Sequence, residues 1–120
     1  MIRSIHLLQY SRDPAADRAF LRDVLGWRNV EDDSEKGWLI FALPPTELAV
    51  HPTDGESVAE IHLMCDDISA TVEQLKRSGV DVSSEIEDRR YGLVTRLRLP
   101  SGAEIGLYEP RHVSPLELPP

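Results

Sequence analysis

The chain has 120 residues, 41% hydrophobic and 28% charged, which is the size and balance of one globular domain able to bury a core without staples. Twenty-one acidic against 13 basic residues give a net charge of -8, and a surface of that sign repels nucleic-acid phosphates and anionic lipid. The single cysteine, Cys65, excludes an internal disulfide framework, and the N-terminal MIRSIHLLQY lacks the apolar stretch and cleavage site of a signal peptide, so the expected compartment is the cytoplasm.

The longest apolar run, Trp38 to Leu43, is far short of the roughly 20 residues of a spanning helix, so no membrane span is expected. Ile2 to Tyr10 reads as a strand. Asp13-Pro14 then supplies an N-cap followed by proline at the first helical position. Phe20, Leu21, Val24 and Leu25 recur at helical spacing, which predicts a helix over Ala15 to Leu25 closed by Gly26. A short strand follows at Trp27 to Val30, a turn over Glu31 to Lys36, a strong strand at Gly37 to Leu43, a break at Pro44-Pro45 and a strand at Thr46 to His51. Pro52 to Ser57, rich in turn formers, reads as the linker between two halves.

The second half repeats the order. A strand at Ala59 to Cys65 leads to a cap at Asp66 and Asp67, a helix from Ser69 to Ser78 closed by Gly79, a weak strand at Val80 to Glu87, a strong one at Gly92 to Leu99, the turn Pro100-Ser101-Gly102 and a last strand at Ala103 to Glu109. Residues 111–120, with three prolines, read as a loose tail. The repeat shows in the letters too. Ile5-His6-Leu7-Leu8 echoes Ile61-His62-Leu63-Met64, and Leu43-Pro44-Pro45-Thr46-Glu47-Leu48 echoes Leu99-Pro100-Ser101-Gly102-Ala103-Glu104-Ile105. A period of about half the chain indicates a duplicated βαβββ unit. The expected class is α+β, one domain over 1–113 with repeats at about 1–56 and 57–110, whose sheets bury one face under helices and turn the other into a cup. An unduplicated α+β sheet or a ferredoxin-like fold fits less well, because each half carries extra strands.

This duplication, with Asp13-Pro14, the helix end Leu25-Gly26-Trp27 and the final Leu99 to Glu109 segment, resembles the vicinal oxygen chelate superfamily, which includes glyoxalases, bleomycin-resistance proteins and extradiol dioxygenases. The resemblance spans roughly residues 2–110. It implies a fold that hosts metal lyases, isomerases, oxygenases and drug binders, so function must come from the site. It also implies metal ligands on the first and last strand of each half.

His6, seven residues before Asp13, matches the first-strand histidine, and Glu60, six before Asp66, matches the corresponding position of the second half. The last strands depart from the pattern. Gly106 and, through the internal echo, Ala49 stand where relatives carry a ligating glutamate, and neither can ligate. The polar residues Glu47, His51, Glu104 and Tyr108 lie two positions away, roughly 6.6–6.8 Å along a strand, much longer than a metal–ligand bond. Strand parity places Glu60 and His62 on one face and Cys65 on the other, as a buried thiol.

Two functions follow. The first is a small-molecule binder using His6, Glu47, His51, Glu60, His62, Glu104 and Tyr108 as a cup, with no confirmed cofactor and a homodimer as the expected assembly. The second is a divalent-metal lyase or isomerase of the glyoxalase I type, with His6 and Glu60 as ligands and His51 or His62 as a further ligand or proton carrier. The lost last-strand glutamate argues against a ring-cleaving iron dioxygenase. A protein-interaction role remains a third alternative. Tyr91 and the two tryptophans offer surfaces for a flat ligand, although Trp27 reads as helix-end packing and Trp38 as sheet packing. Arg89-Arg90 reads as an anion clamp or a solvated loop. No phosphate-cradling glycine loop, dinucleotide fingerprint or paired CxxC motif is present.

Overall fold

In the computed structural model, residues 3, 6–32, 37–56, 58–83 and 85–117 are described. Helix α1 covers Pro14–Asp23, capped by the Asp13 carboxylate, which accepts from the Ala16 amide at 3.2 Å. Gly26, with φ 70°, then turns the chain, and the Trp27 amide donates to Leu21 O at 3.1 Å. The ribbon β1 (Asn29–Glu31) and β2 (Leu39–Phe41) pairs antiparallel, with Val30 opposite Ile40.

The second half is the fuller unit. Strand β3 (His62–Met64) leads to α2 (Ile68–Arg77), then β4 (Asp81–Val82), β5 (Glu87–Arg89), β6 (Gly92–Arg98) and β7 (Glu104–Pro110). The sheet order is β3-β7-β6-β4 with β5 also on β6, and β3 runs parallel to β7. Asp67 caps α2 through the Ala70 amide at 3.1 Å, and the Glu109 carboxylate on β7 accepts from the Ile68 amide at 2.9 Å, which ties the helix start to the sheet. Gly79, with φ 85°, closes α2, where the Val80 amide returns to Leu75 O at 3.0 Å.

The alternation of β6 and β7 decides which face is core. Leu97, Leu99, Ile105 and Leu107 are buried together with Ile68 and Val72 of α2 and Phe20 of α1, so odd-numbered strand residues face the helices. Leu63 and Cys65 pack against the same cluster. Even-numbered residues, from Glu60 through Tyr108, face away from it.

Several expectations for the first half are corrected. The strands expected at Ile2 to Tyr10 and Thr46 to His51 are not formed over the described residues 6–10 and 46–51; positions 1, 2, 4 and 5, and most of the Glu31 to Lys36 turn, lie outside the described residues. Leu8 is 65% exposed, Tyr10 86%, Leu48 87% and Val50 88%. Alternating apolar residues make a strand only where a partner strand and a packed face receive them, and Pro44, Pro45 and Pro52 remove amide donors beside the second segment. The strand expected over Val80 to Glu87 is split, since only Asp81–Val82 and Glu87–Arg89 pair with β6. Residues 111–117 are also not a free tail: Ser114 is buried, and Pro115–Glu117 forms a 3-10 turn. Trp38 is exposed, with the Arg18 guanidinium 5.5 Å over its ring.

One buried polar contact fastens α1 to the second half. Asp17, only 6% exposed, accepts from Ser11 Oγ at 2.7 Å and from the Ser101 amide and hydroxyl at 3.1 and 2.7 Å. Asp17→Ala leaves the half-buried Ser101 donors without their acceptor, which costs about 1–3 kcal/mol. Urea unfolding of the two proteins measures this, and an unchanged midpoint at equal m-value contradicts it.

Candidate functional site

The face opposite the helices carries a crosswise row set by strand register. His62 on β3 stands beside Gly106 on β7, and Gly106 beside Arg96 on β6. Because Gly106 has no side chain, its neighbours lean over it. A methyl group built at Gly106 would lie 2.0 Å from His62 Nδ1 and 2.7 Å from its Cγ, so the imidazole rests on the glycine backbone. From there His62 Nε2 reaches Glu60 Oε2 at 3.1 Å, with Arg96 3.7 Å from the same oxygen. The hydrogen bond from His62 leads in pulling the Glu60 carboxyl below its usual range; burial opposes this, and Arg96 adds to the pull. A depressed carboxyl contributes stability at neutral pH and loses it as pH falls. The half-exposed Glu60 keeps that contribution small.

The next row carries the rings. Tyr108 lies opposite Met64 and Val94, and its hydroxyl donates to Tyr91 O at 2.9 Å. Its ring centroid is 6.0 Å from Tyr91, 6.5 Å from His62 and 5.8 Å from His112, while Tyr91 is 5.8 Å from His51. Burial, then the charge of Glu47, pushes the Tyr108 phenol upward, so it stays a neutral donor. The segment 46–51 crosses over this row with Glu47 and His51 turned in and Leu48 and Val50 turned out. Glu47 accepts from Ser114 Oγ at 2.7 Å and meets His112 Nε2 at 3.2 Å.

Of the expected cup residues, Glu47, His51, Glu60, His62 and Tyr108 thus come together around one cluster of rings. Glu104 shares the face but sits at its far end, 3.7 Å from Arg98, which also reaches Asp81 at 3.4 Å. His6 is exposed, and no contact of its side chain joins it to Glu60 among the described residues. Arg89 pairs with Glu87 along β5, before Tyr91. Arg96 and His112 were not among the expected site residues. Arg96 was readable from the alternation of Gly92 to Leu99, where charged side chains hold the even positions; His112 carried no such signal.

The donor set does not fit the metal centre that the resemblance implies. Among the described residues no three His, Cys, Asp or Glu side chains converge. The place of the last-strand carboxylate is Gly106, with an imidazole lying on it, and Ala49 offers no donor. Cys65 is no substitute: burial leads in raising its thiol pKa, against a hydrogen bond from Thr71, and a raised pKa disfavours the nucleophilic thiolate.

The family model of the Glyoxalase/Bleomycin resistance protein/Dioxygenase superfamily matches residues 3–107. The chain belongs to that superfamily. Solved structures agree on the fold. TnmS3, an antibiotic binding protein from Streptomyces sp. CB03234, aligns at TM-score 0.62 and 24% identity over 91% of this chain and 97% of its own. Lactoylglutathione lyase from Agrobacterium tumefaciens gives 0.62 and 16% over 89% and 92%. A superfamily member from Sphaerobacter thermophilus DSM 20745 gives 0.57 and 20% over 90% and 98%. No curated protein matches the chain in sequence. The tandem βαβββ expectation for this superfamily member therefore stands as its fold class, with the second unit the better formed.

The glycine and the imidazole form a testable pair. Gly106→Ala drives the His62 ring off the strand and costs about 1–3 kcal/mol from overpacking. In a His62→Ala background the same change loses most of that cost. Chemical denaturation of the four proteins of the cycle should give a coupling within about 0.5–3 kcal/mol; additive effects contradict the packing described.

Proposed function

We propose that this superfamily member binds a small organic molecule on the ring-lined face, gripping it with Tyr91, Tyr108 and His51 and orienting it with Glu47, Glu60 and His62, without a complete metal site. The observation that supports this most is the unbroken ring cluster from His51 through Tyr91 and Tyr108 to His62, edged by two carboxylates. Offset and edge-on rings give a flat or amphipathic ligand large contact area at low entropy cost. The name of TnmS3, an antibiotic binding protein, is in keeping with this use of the fold. The lyase alternative, with His6 and Glu60 as metal ligands, requires a third donor, and no group of three converges among the described residues.

Binding is tested with a library of aromatic and heteroaromatic fragments followed by amide shifts in NMR. Fragments should shift the Tyr91, Tyr108 and His62 signals together, and Tyr108→Ala should weaken the best of them at least about tenfold, the worth of roughly 1.4 kcal/mol. Shifts confined to the helix side of the sheet reject the proposal.

A homodimer in the cytoplasm completes the reading. Leu8, Tyr10, Leu48 and Val50 leave a large apolar exposure on extended, unpaired segments, and such surface marks an interface; the free thiol Cys65 suits a reducing compartment. No helix among the described residues is long and apolar enough to cross a membrane. Sedimentation should show a dimer that Leu48→Glu with Val50→Glu dissociates. A monomer at all concentrations overturns this part alone.

A further inference from the structure

We propose that Arg96 is the specificity-determining residue of the ring-lined face, and that the ligand held there is a flat molecule carrying a carboxylate, which the Arg96 guanidinium takes with two parallel hydrogen bonds. The proposal rests on that face being the binding site and adds the charge of what it binds.

Three arginines lie along β5 and β6, and two of them are engaged. Arg89 pairs with Glu87. Arg98 lies between Asp81 at 3.4 Å and Glu104 at 3.7 Å. Arg96 differs. Its one ionic partner among the described residues is Glu60 Oε2 at 3.7 Å, longer than the about 2.7–2.9 Å of a charge-assisted hydrogen bond, and the same oxygen already meets His62 Nε2 at 3.1 Å. A guanidinium carries several donors in a planar fork, so most of this one lacks a protein acceptor, on a side chain that is 41% exposed.

The residues beside Arg96 are short or flat. On β7 it faces Gly106, on which the His62 ring lies. On the other side stands Ser83, whose amide and hydroxyl both donate to Arg96 O, at 3.0 and 3.3 Å, so its side chain is turned to the backbone. The rings are one strand repeat away. Tyr108 follows Gly106 by two positions and pairs with Val94, two positions before Arg96, which sets the Tyr108 level roughly 6.6–6.8 Å along the strands from that of Arg96. A flat ligand resting on Tyr108 and Val94 brings a carboxylate on its edge to the guanidinium, whose planar fork matches that group.

Glu47, Glu60 and a net charge of -8 would by themselves favour a cation. Both carboxylates already hold close partners, Glu47 with Ser114 Oγ at 2.7 Å and Glu60 with His62 at 3.1 Å, and charge farther than about 8 Å away is screened at physiological salt. The fork of Arg96 is the charged group of this face with unspent hydrogen bonds, and it calls for an anion.

Three probes of one shape and different charge test this: cinnamate, its neutral amide cinnamamide, and cinnamylamine, each titrated into the full chain at neutral pH and followed by NMR. Cinnamate should shift Val94, Arg96 and Tyr108 and bind at least about tenfold tighter than cinnamamide, the gain expected from hydrogen bonds to a charged group; cinnamylamine should bind weakest. Arg96→Gln should bring cinnamate to the level of the amide, and Arg96→Lys, which keeps the charge without the fork, should restore only part of the difference. In the wild-type protein, raising salt from about 50 mM to about 500 mM should weaken cinnamate and leave cinnamamide unchanged, a measurement that needs no variant to fold. Equal affinity for acid and amide, tighter binding of the amine, or an acid preference that survives in Arg96→Gln overturns this proposal and leaves the binding face standing. No shift on the ring-lined face with any of the three overturns both.

Discussion

The approach of the His62 ring to the backbone of Gly106 is the contact on which the site depends. A side chain at 106 would occupy the space the imidazole uses, and without that space His62 could not reach Glu60 while Arg96 comes in from the other side. A strand glycine weakens a sheet unless something packs over it. Here an imidazole does, and its neighbouring carboxylate is held ionised by the contact. Gly106 stands where the resemblance implies a ligating carboxylate, and the imidazole lying on it packs there and reaches Glu60.

That face exists because the opposite one is committed to the core. Leu97, Leu99, Ile105 and Leu107 give β6 and β7 a buried side under α2 and Phe20, and the alternating side chains are left for the site. The first half contributes differently. Its helix is pinned through Asp17 to the β6–β7 turn, while its segment 46–51 bears Glu47 and His51 on the inner side and presents Leu48 and Val50 outward. The second half thus forms a five-stranded sheet, and the first half a two-stranded ribbon followed by a segment whose Leu48 and Val50 are exposed.

Much of this was legible in the sequence because it follows from periodicity. Asp13 and Asp67 as caps, Gly26 and Gly79 as helix ends, and the shared face of Glu60, His62 and Tyr108 all depend on residue type and spacing over a few positions. The strands expected at both ends of the first half did not form there, since alternation records that a face is apolar and not whether a partner strand is present to pair with it. Arg96 was in view as part of an alternating strand, but its role arises only from the register that sets it beside Gly106. His112 and Ser114 were unreadable: their partner, Glu47, is distant in sequence, and a proline-containing tail has no period to betray a specific contact.

The central claim is that organic contacts, not a metal ion, hold the ligand on this face. It is tested most directly by measuring the affinity of one NMR-detected aromatic fragment by calorimetry, first with excess chelator and then with saturating Ni, Zn, Mn or Fe. The account predicts the same dissociation constant in every case and an unchanged melting temperature with metal alone. A fragment that binds only with a metal present, together with metal stabilisation approaching about 2.7 kcal/mol at a hundredfold excess over its dissociation constant, would contradict it.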